Sequence, residues 1–216
     1  MSVCGTGVVT RIVATNPAVA EVVGIDPAVS LLERARRLAA DVEGVTFLEG
    51  DARSLPTDDA SFDVVLFDST LSHVPGVEQA LAEAFRVLKR PGWLATFDGD
   101  YATTTVALAD HDPLQECVRE MMSNSVNDRY LMRRLPSLLV RSGFEVERFD
   151  SHGFVDLSGD GYMMTVVDRG VDILLAAGRI GERTSDALRA EALRRAHEGT
   201  FFGHVAYVSL VARKPG

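Results

Sequence analysis

The sequence predicts an α/β fold in which parallel strands are joined by crossover helices. Three observations carry that expectation. Apolar runs of strand length alternate with amphipathic stretches of helical spacing through the N-terminal half. Proline opens or glycine closes several of the helical stretches. Glycines and acids fall where the strand runs end. With 46% hydrophobic and 25% charged residues in 216 positions, the chain is long enough to bury a substantial core.

The first clear strand run is 21–26. Behind Pro27, suited to a first helical turn, Leu31, Leu32, Ala35, Leu38 and Ala39 recur at helical spacing over 28–41, and Glu33, Arg34, Arg36 and Arg37 form the polar face. Residues 45–49 and 62–67 give the next two strands. Over 77–88, Val77, Leu81, Ala84, Phe85 and Leu88 make one apolar stripe that ends in Lys89, Arg90, Pro91 and Gly92. Those cations suit the negative end of a helix dipole, with Lys89 as the helix-end charge. A strand at 93–98 follows. Residues 99–130 are polar and contain Met121 and Met122, a composition closer to a lid than to a scaffold. Residues 132–142 read as a helix with Pro136 in its first turn, closed by Gly143 and followed by a strand at 144–149. A turn around Gly159 and Gly161 leads to helices at 166–177 and 184–197 and a last strand at 201–213. No internal repeat or low-complexity tract is present.

These elements are expected to form one domain over 1–216, with a substrate-covering insertion at 150–200. Net charge −9, from 31 acidic and 22 basic residues, opposes the positive field that nucleic acid or an anionic membrane demands. Only Lys89 and Lys214 are lysines, so lysine-based covalent chemistry has few candidates. Cys4 and Cys117 form neither a metal-ligand spacing nor a disulfide framework. There is no basic-then-apolar leader and no apolar run near the ~20 residues of a membrane span. The expectation is a cytoplasmic protein with a small-molecule partner, binding neither nucleic acid nor membrane. Nothing in the sequence specifies an oligomeric state.

The residues that carry chemistry form an ordered set. Cys4, Gly5, Thr6 and Gly7 make a glycine-containing loop, where the main chain can approach a ligand closely. Asp26 lies roughly 20 residues beyond Gly7 at a strand end, the spacing of an acid that accepts hydrogen bonds from both hydroxyls of a ribose. Asp51, just past the following strand, is placed to accept from an adenine amino group while the Ala52 amide donates to a ring nitrogen. A nucleoside cofactor is the expected ligand.

At this point the chain resembles the class I S-adenosylmethionine-dependent methyltransferases, and more narrowly the small-molecule group with a UbiE-like methyltransferase domain. Gly5–Gly7 match the end of that family's glycine motif, 23–27 its ribose acid segment and 50–52 its adenine segment. FDVVLFDSTLSHVP at 62–75, LKRPGWL at 88–94 and SGFEV at 142–146 match further landmarks. The resemblance implies a Rossmann-like, doubly wound sheet of seven strands, mostly parallel, with the last antiparallel. It also implies S-adenosylmethionine as cofactor, held by Cys4, Gly5, Thr6, Gly7, Asp26, Pro27, Asp51, Ala52 and Phe67. The family's first strand carries an acid and one more glycine; those positions fall on Met1 and Val3, and the first strand is nearly absent. The departure implies either a start upstream or weakened cofactor binding.

Methyl transfer is an in-line displacement at a sulfonium carbon, so orientation and desolvation dominate and a base is dispensable. If a base acts, Asp68 and His73 after the fourth strand are best placed. Asp98, Asp100 and Tyr101 are candidates to line the acceptor pocket; His111, Arg133, His152 and His204 are candidates on position alone. Duller roles compete: Gly5 and Gly7 as a plain turn, Asp26 and Asp51 as caps, His73 as a packed histidine, and the methionines as core fillers rather than an apolar acceptor wall. Asp98-Gly99-Asp100 has the look of a metal pair but lacks a third ligand, so no metal is expected. Two other functions compete. One is a cofactor-binding scaffold of the same fold without activity. The other is a nicotinamide-dependent oxidoreductase, against which stands Thr10 in place of the third glycine of G-x-G-x-x-G.

Overall fold

The structure is a computed structural model that describes residues 2–216. In chain order the elements are β1 Ser2–Val3, α1 Val8–Ala14, β2 Val22–Asp26, α2 Val29–Leu38, β3 Val45–Glu49 and β4 Phe62–Asp68. A 3₁₀ turn at Leu71–His73 then precedes α3 Val77–Val87, β5 Leu88–Thr105, α4 Pro113–Ser125, α5 Leu131–Arg141, β6 Glu145–Asp156, α6 Tyr162–Ala176, α7 Glu182–His197 and β7 Gly203–Lys214. The strands are hydrogen-bonded in the order β3-β2-β1-β4-β5-β7-β6, β1 contributing only two residues. The pairs β2–β3, β1–β2, β1–β4 and β4–β5 are parallel. This is the Rossmann-like α/β arrangement. The order reverses between β1 and β4, and at such a switch point the loops at the strand ends part to leave a crevice. The family acid expected at Met1 lies outside the described residues, as does the side chain of Val3.

The chain divides into two compact units. The first gathers the chain up to Asp98 with Met132–Asp150 and Val208–Gly216; the second comprises Gly99–Leu131 and Ser151–Tyr207.

In the first unit β2 is buried at every position, the run expected of an interior parallel strand. On α2 the buried face is Leu32, Ala35 and Ala39, packed with Phe47 of β3. Leu31 and Leu38, expected on that stripe, are exposed. Phe47 also dictates two glycines. A Cβ on Gly24 would stand 2.7 Å from its ring, and one on Gly7 2.9 Å from it. On α3, Val77, Ala80, Leu81, Ala84 and Val87 are buried.

Lys89 does not close α3. It lies in β5 and pairs with Asp63 at 3.0 Å. The helix-end cation is instead Lys214 of β7, buried, with Nζ donating to the carbonyls of Phe85 and Leu88 and standing 4.6 Å from the Phe85 ring centre. Pro136 is inside α5, beyond its first turn.

The second unit corrects the expectation of a lid at 99–130. β5 runs on to Thr105, and α4 buries Leu114, Cys117, Val118, Met121 and Met122 in one cluster with Met163, Met164, Val167 and Val171 of α6. These methionines fill a core. Gly170 lets the helices meet, since a Cβ there would lie 1.9 Å from the Cys117 carbonyl oxygen. The turn at Gly159 and Gly161 is organised by Asp156, whose carboxylate accepts from Ser158 N and Oγ, Gly159 N and Met163 N.

Candidate active site

Within the first unit, the turns after β1, β2, β3 and β4 surround a cleft of about 540 Å³. Cys4, Gly5 and Thr6 supply one wall, with Val8 and Val9 of α1; Asp26 and Pro27 supply the next; Asp51, Ala52 and Arg53 close one end. Asp68, Ser69 and Thr70 stand at the other with His73, Val74 and Pro75.

The glycine loop is a tight turn. Cys4 N donates to Ile25 O, and Gly7 N donates back to Cys4 O at 2.7 Å. Gly5 has φ +49°, and a Cβ built there would meet no protein atom within 4 Å. Gly5 is therefore required for its backbone conformation and keeps the cleft wall bare. Burial, followed by the charge of Asp26, pushes the Cys4 thiol up to about 12, so it stays protonated and inert.

Asp26 is 8% exposed. Its Oδ2 accepts from Gly5 N at 2.8 Å and its Oδ1 from Ala28 N at 2.9 Å, which latches the glycine loop to the end of β2. A carboxylate offers about four lone-pair sites. One therefore remains on each oxygen, the acceptor pattern that a vicinal diol satisfies.

Asp51 is engaged differently. Oδ1 accepts from Arg53 N at 2.8 Å and Arg53 Nε at 3.0 Å, and Oδ2 accepts from Arg53 Nη2 at 2.6 Å. The Arg53 side chain, then its amide, hold the carboxyl down at about 2. Of its lone-pair sites, one is left, on Oδ2. The Arg53 partnership was not foreseen from sequence; the only signal is an arginine two residues after an acid.

At the other end Ser69 adopts φ +48° at the turn out of β4, a conformation a non-glycine residue keeps only when its surroundings enforce it. Ser69 N donates to Phe97 O and Thr70 Oγ1 to Asp68 O, both short. The turn leaves Asp68 lining the cleft. Burial and then the charge of Asp98 raise its carboxyl above the usual range.

The remaining expected residues are elsewhere. Phe67 is 1% exposed and packs inside the sheet; Gly7 shapes the loop without lining the cleft. Asp98, expected in an acceptor pocket, is 1% exposed and accepts from Ser72 N at 3.0 Å and Ser72 Oγ at 2.9 Å. It ties β5 to the 3₁₀ turn that carries His73. Tyr101 is buried in the core of the second unit, and the Asp100 main-chain carbonyl accepts from Thr103 Oγ1 there. His111, Arg133, His152 and His204 do not line this cleft. Among the described residues no group of three or more His, Cys, Asp and Glu side chains is placed to hold a metal ion, and no helix is long and apolar enough to cross a membrane.

A parallel sheet with a glycine loop and two acids around the crevice at its switch point defines a class, the α/β proteins with a ligand crevice at the carboxyl ends of their strands. Comparison with known proteins narrows it. The family model described as a methyltransferase domain matches residues 2–96. A 37.1 kDa protein of a Streptomyces fradiae transposon is 33% identical over 142 residues, 66% of this chain and 41% of that protein. A demethylmenaquinone methyltransferase of Staphylococcus aureus is 39% identical over 106 residues, 48% of this chain and 43% of that enzyme. The chain thus spans about two fifths of the length of these relatives. A Bacillus halodurans protein described as a methyltransferase, 21% identical, superposes with a TM-score of 0.71 over 100% of this chain and 91% of its own, a likeness of fold. The matched segment, residues 2–96, is thus similar to methyltransferase domains.

Proposed function

We propose that the protein transfers a methyl group from S-adenosylmethionine to a small-molecule acceptor. One observation supports this reading: Asp26 and Asp51, each with acceptor sites left open, line a single cleft. One free site on each oxygen of Asp26 suits the two hydroxyls of a ribose, and the single free site on Asp51 suits one N–H of an adenine amino group. The bare wall at Gly5 leaves room for the linkage between them. When bound, S-adenosylmethionine supplies a methyl carbon activated by an adjacent sulfonium.

The chain's own part is to bind, orient and take up a proton. Asp26 and Asp51 anchor the nucleoside end. Asp68, at the opposite end with its carboxyl raised, is a better proton acceptor than an ordinary aspartate and would hold the proton an acceptor releases at its Oδ. His73 lines the same end and is the alternative acceptor. The net charge of −9 favours a small acceptor over a polyanion. The β7 strand is taken as the antiparallel strand that the family resemblance implies.

Calorimetric titration with S-adenosylhomocysteine tests the reading. Binding at micromolar affinity or tighter, with no binding of a nicotinamide dinucleotide, supports it. Binding of the dinucleotide alone would make the protein an oxidoreductase, and binding of neither would leave an inactive scaffold.

A further inference from the structure

The Asp51–Arg53 pair does more than add an acid to the cleft. From the geometry we infer that Arg53 is a specificity-determining residue, which presents Asp51 as a single fixed acceptor and so selects a 6-amino over a 6-oxo purine. The inference rests on the nucleoside reading above and deepens it.

The argument is one of counting and direction. Asp51 Oδ1 is filled by the Arg53 amide and Nε; Oδ2 is half filled by Nη2. A guanidinium grips a carboxylate with a planar fork, so the carboxylate plane is fixed together with the one lone pair that remains. Arg53 and Asp51 both line the cleft, and an antiparallel backbone bridge between Asp51 and Ser54 holds the turn that carries them. With the pair intact, the carboxylate cannot turn a donor toward the ligand: it is ionised, its carboxyl held at about 2. A ligand group at that position must donate. An amino group does. A carbonyl would set two acceptors against each other, so the half-exposed pair disfavours it relative to an amino group.

Without Arg53 the Asp51 side chain regains its rotamers. It can then rotate away from a 6-oxo group, and selectivity falls even where overall affinity survives. Lysine offers a single point charge rather than a fork and should restore the constraint only in part.

The experiment uses the full chain and two probes, S-adenosylhomocysteine and its deaminated 6-oxo analogue S-inosylhomocysteine, with affinities measured by calorimetry. The wild type should favour the adenine form by about a hundredfold or more. In Arg53→Met the ratio should fall by about tenfold, with Arg53→Lys between the two. A wild type that binds with clear preference, together with an unchanged ratio in Arg53→Met, overturns the inference alone. Equal losses for both probes overturn it as well, since Arg53 would then only shape the loop. A wild type that binds neither probe overturns the nucleoside reading itself. Should Arg53→Met fail to fold, the ratio in Arg53→Lys decides: unchanged, it overturns the inference; lowered, it supports it.

Discussion

The carboxylates of the cleft and those of the second unit differ in how completely they are satisfied. In the second unit Asp112 accepts from Leu108 N and Arg195 Nη1 on one oxygen and from Leu114 N and Arg195 Nη2 on the other. Every lone-pair site is used. Asp156 gathers four donors as well, three on Oδ1 and one on Oδ2. In the cleft Asp26 holds two donors and Asp51 three, and Asp68 is raised by burial beside Asp98. Acids that are filled hold the fold together, whereas acids left partly open are available to a ligand. Burial alone does not make this distinction, since Asp26 and Asp156 are both buried.

The sharpest break of that comparison comes at Asp112. The side chains of Asp112 and Arg195 are 3% and 8% exposed, and removing Asp112 leaves Arg195 with Glu191 as its remaining partner. Asp112→Ala should cost about 2–4 kcal/mol in urea denaturation and leave the affinity of the folded protein for S-adenosylhomocysteine unchanged. Burial pushes the Asp112 carboxyl up, but the hydrogen bonds from Arg195 and the amides of Leu108 and Leu114 outweigh it and hold the group below the usual range. Its contribution is therefore complete above the unfolded value of about 4 and is lost as the pH falls through the lowered one. A mutant whose acid-unfolding curve coincides with that of the wild type would refute the assignment.

Next in size is Gly170→Ala. The added methyl must displace the Cys117 backbone, so a loss of about 2–3 kcal/mol in thermal unfolding is expected, again with cofactor affinity retained.

Asp26→Ala should act the opposite way. It removes the latch on Gly5 and both open acceptor sites, and it should weaken S-adenosylhomocysteine binding by about 1–3 kcal/mol, roughly ten- to a hundredfold. Asp26→Asn keeps one acceptor oxygen and should fall between. Equal affinity in all three proteins would show that the acid serves the loop only.

Much of the cleft was legible in the sequence because its parts are local. Gly5, Asp26 and Asp51 end strand runs that periodicity marks, and Pro27 announces α2. What was missed depends on partners distant in sequence. Lys214 reaches the end of α3 from β7, so Lys89 took its role by default. Residues 99–130 looked like a lid because the apolar face of α4 is covered by α6, which sequence spacing does not pair with it. Asp68 and Asp98 fall at or just after the ends of the expected strand runs, and the sequence puts both at the site, one as a base and the other in the acceptor pocket, although β5 runs on past Asp98. The positive φ of Ser69 and the two donors of Ser72 send one to the cleft and the other into the fold.

The smallest effect bears on the comparison most directly. Asp68 is partly exposed, and its carboxyl is raised by burial first and by Asp98 second. A raised folded-state value means that the native protein holds this proton more tightly than the unfolded chain does. Asp68 therefore withdraws stability as the pH rises through the interval between the unfolded value and the raised one, and the deficit persists at neutral pH. Asp68→Asn removes the charge at nearly constant shape. After allowance for solvent screening it should stabilise the protein at pH 7 by about a few tenths of a kcal/mol, and by nothing at pH 3, where the wild-type carboxyl is already protonated. Asp112→Asn should destabilise at pH 7. Opposite signs for the same isosteric change would show that an aspartate kept at the cleft lowers stability while one satisfied in the second unit raises it; a loss of stability at Asp68 would place that residue among the structural acids and remove it as the proton acceptor.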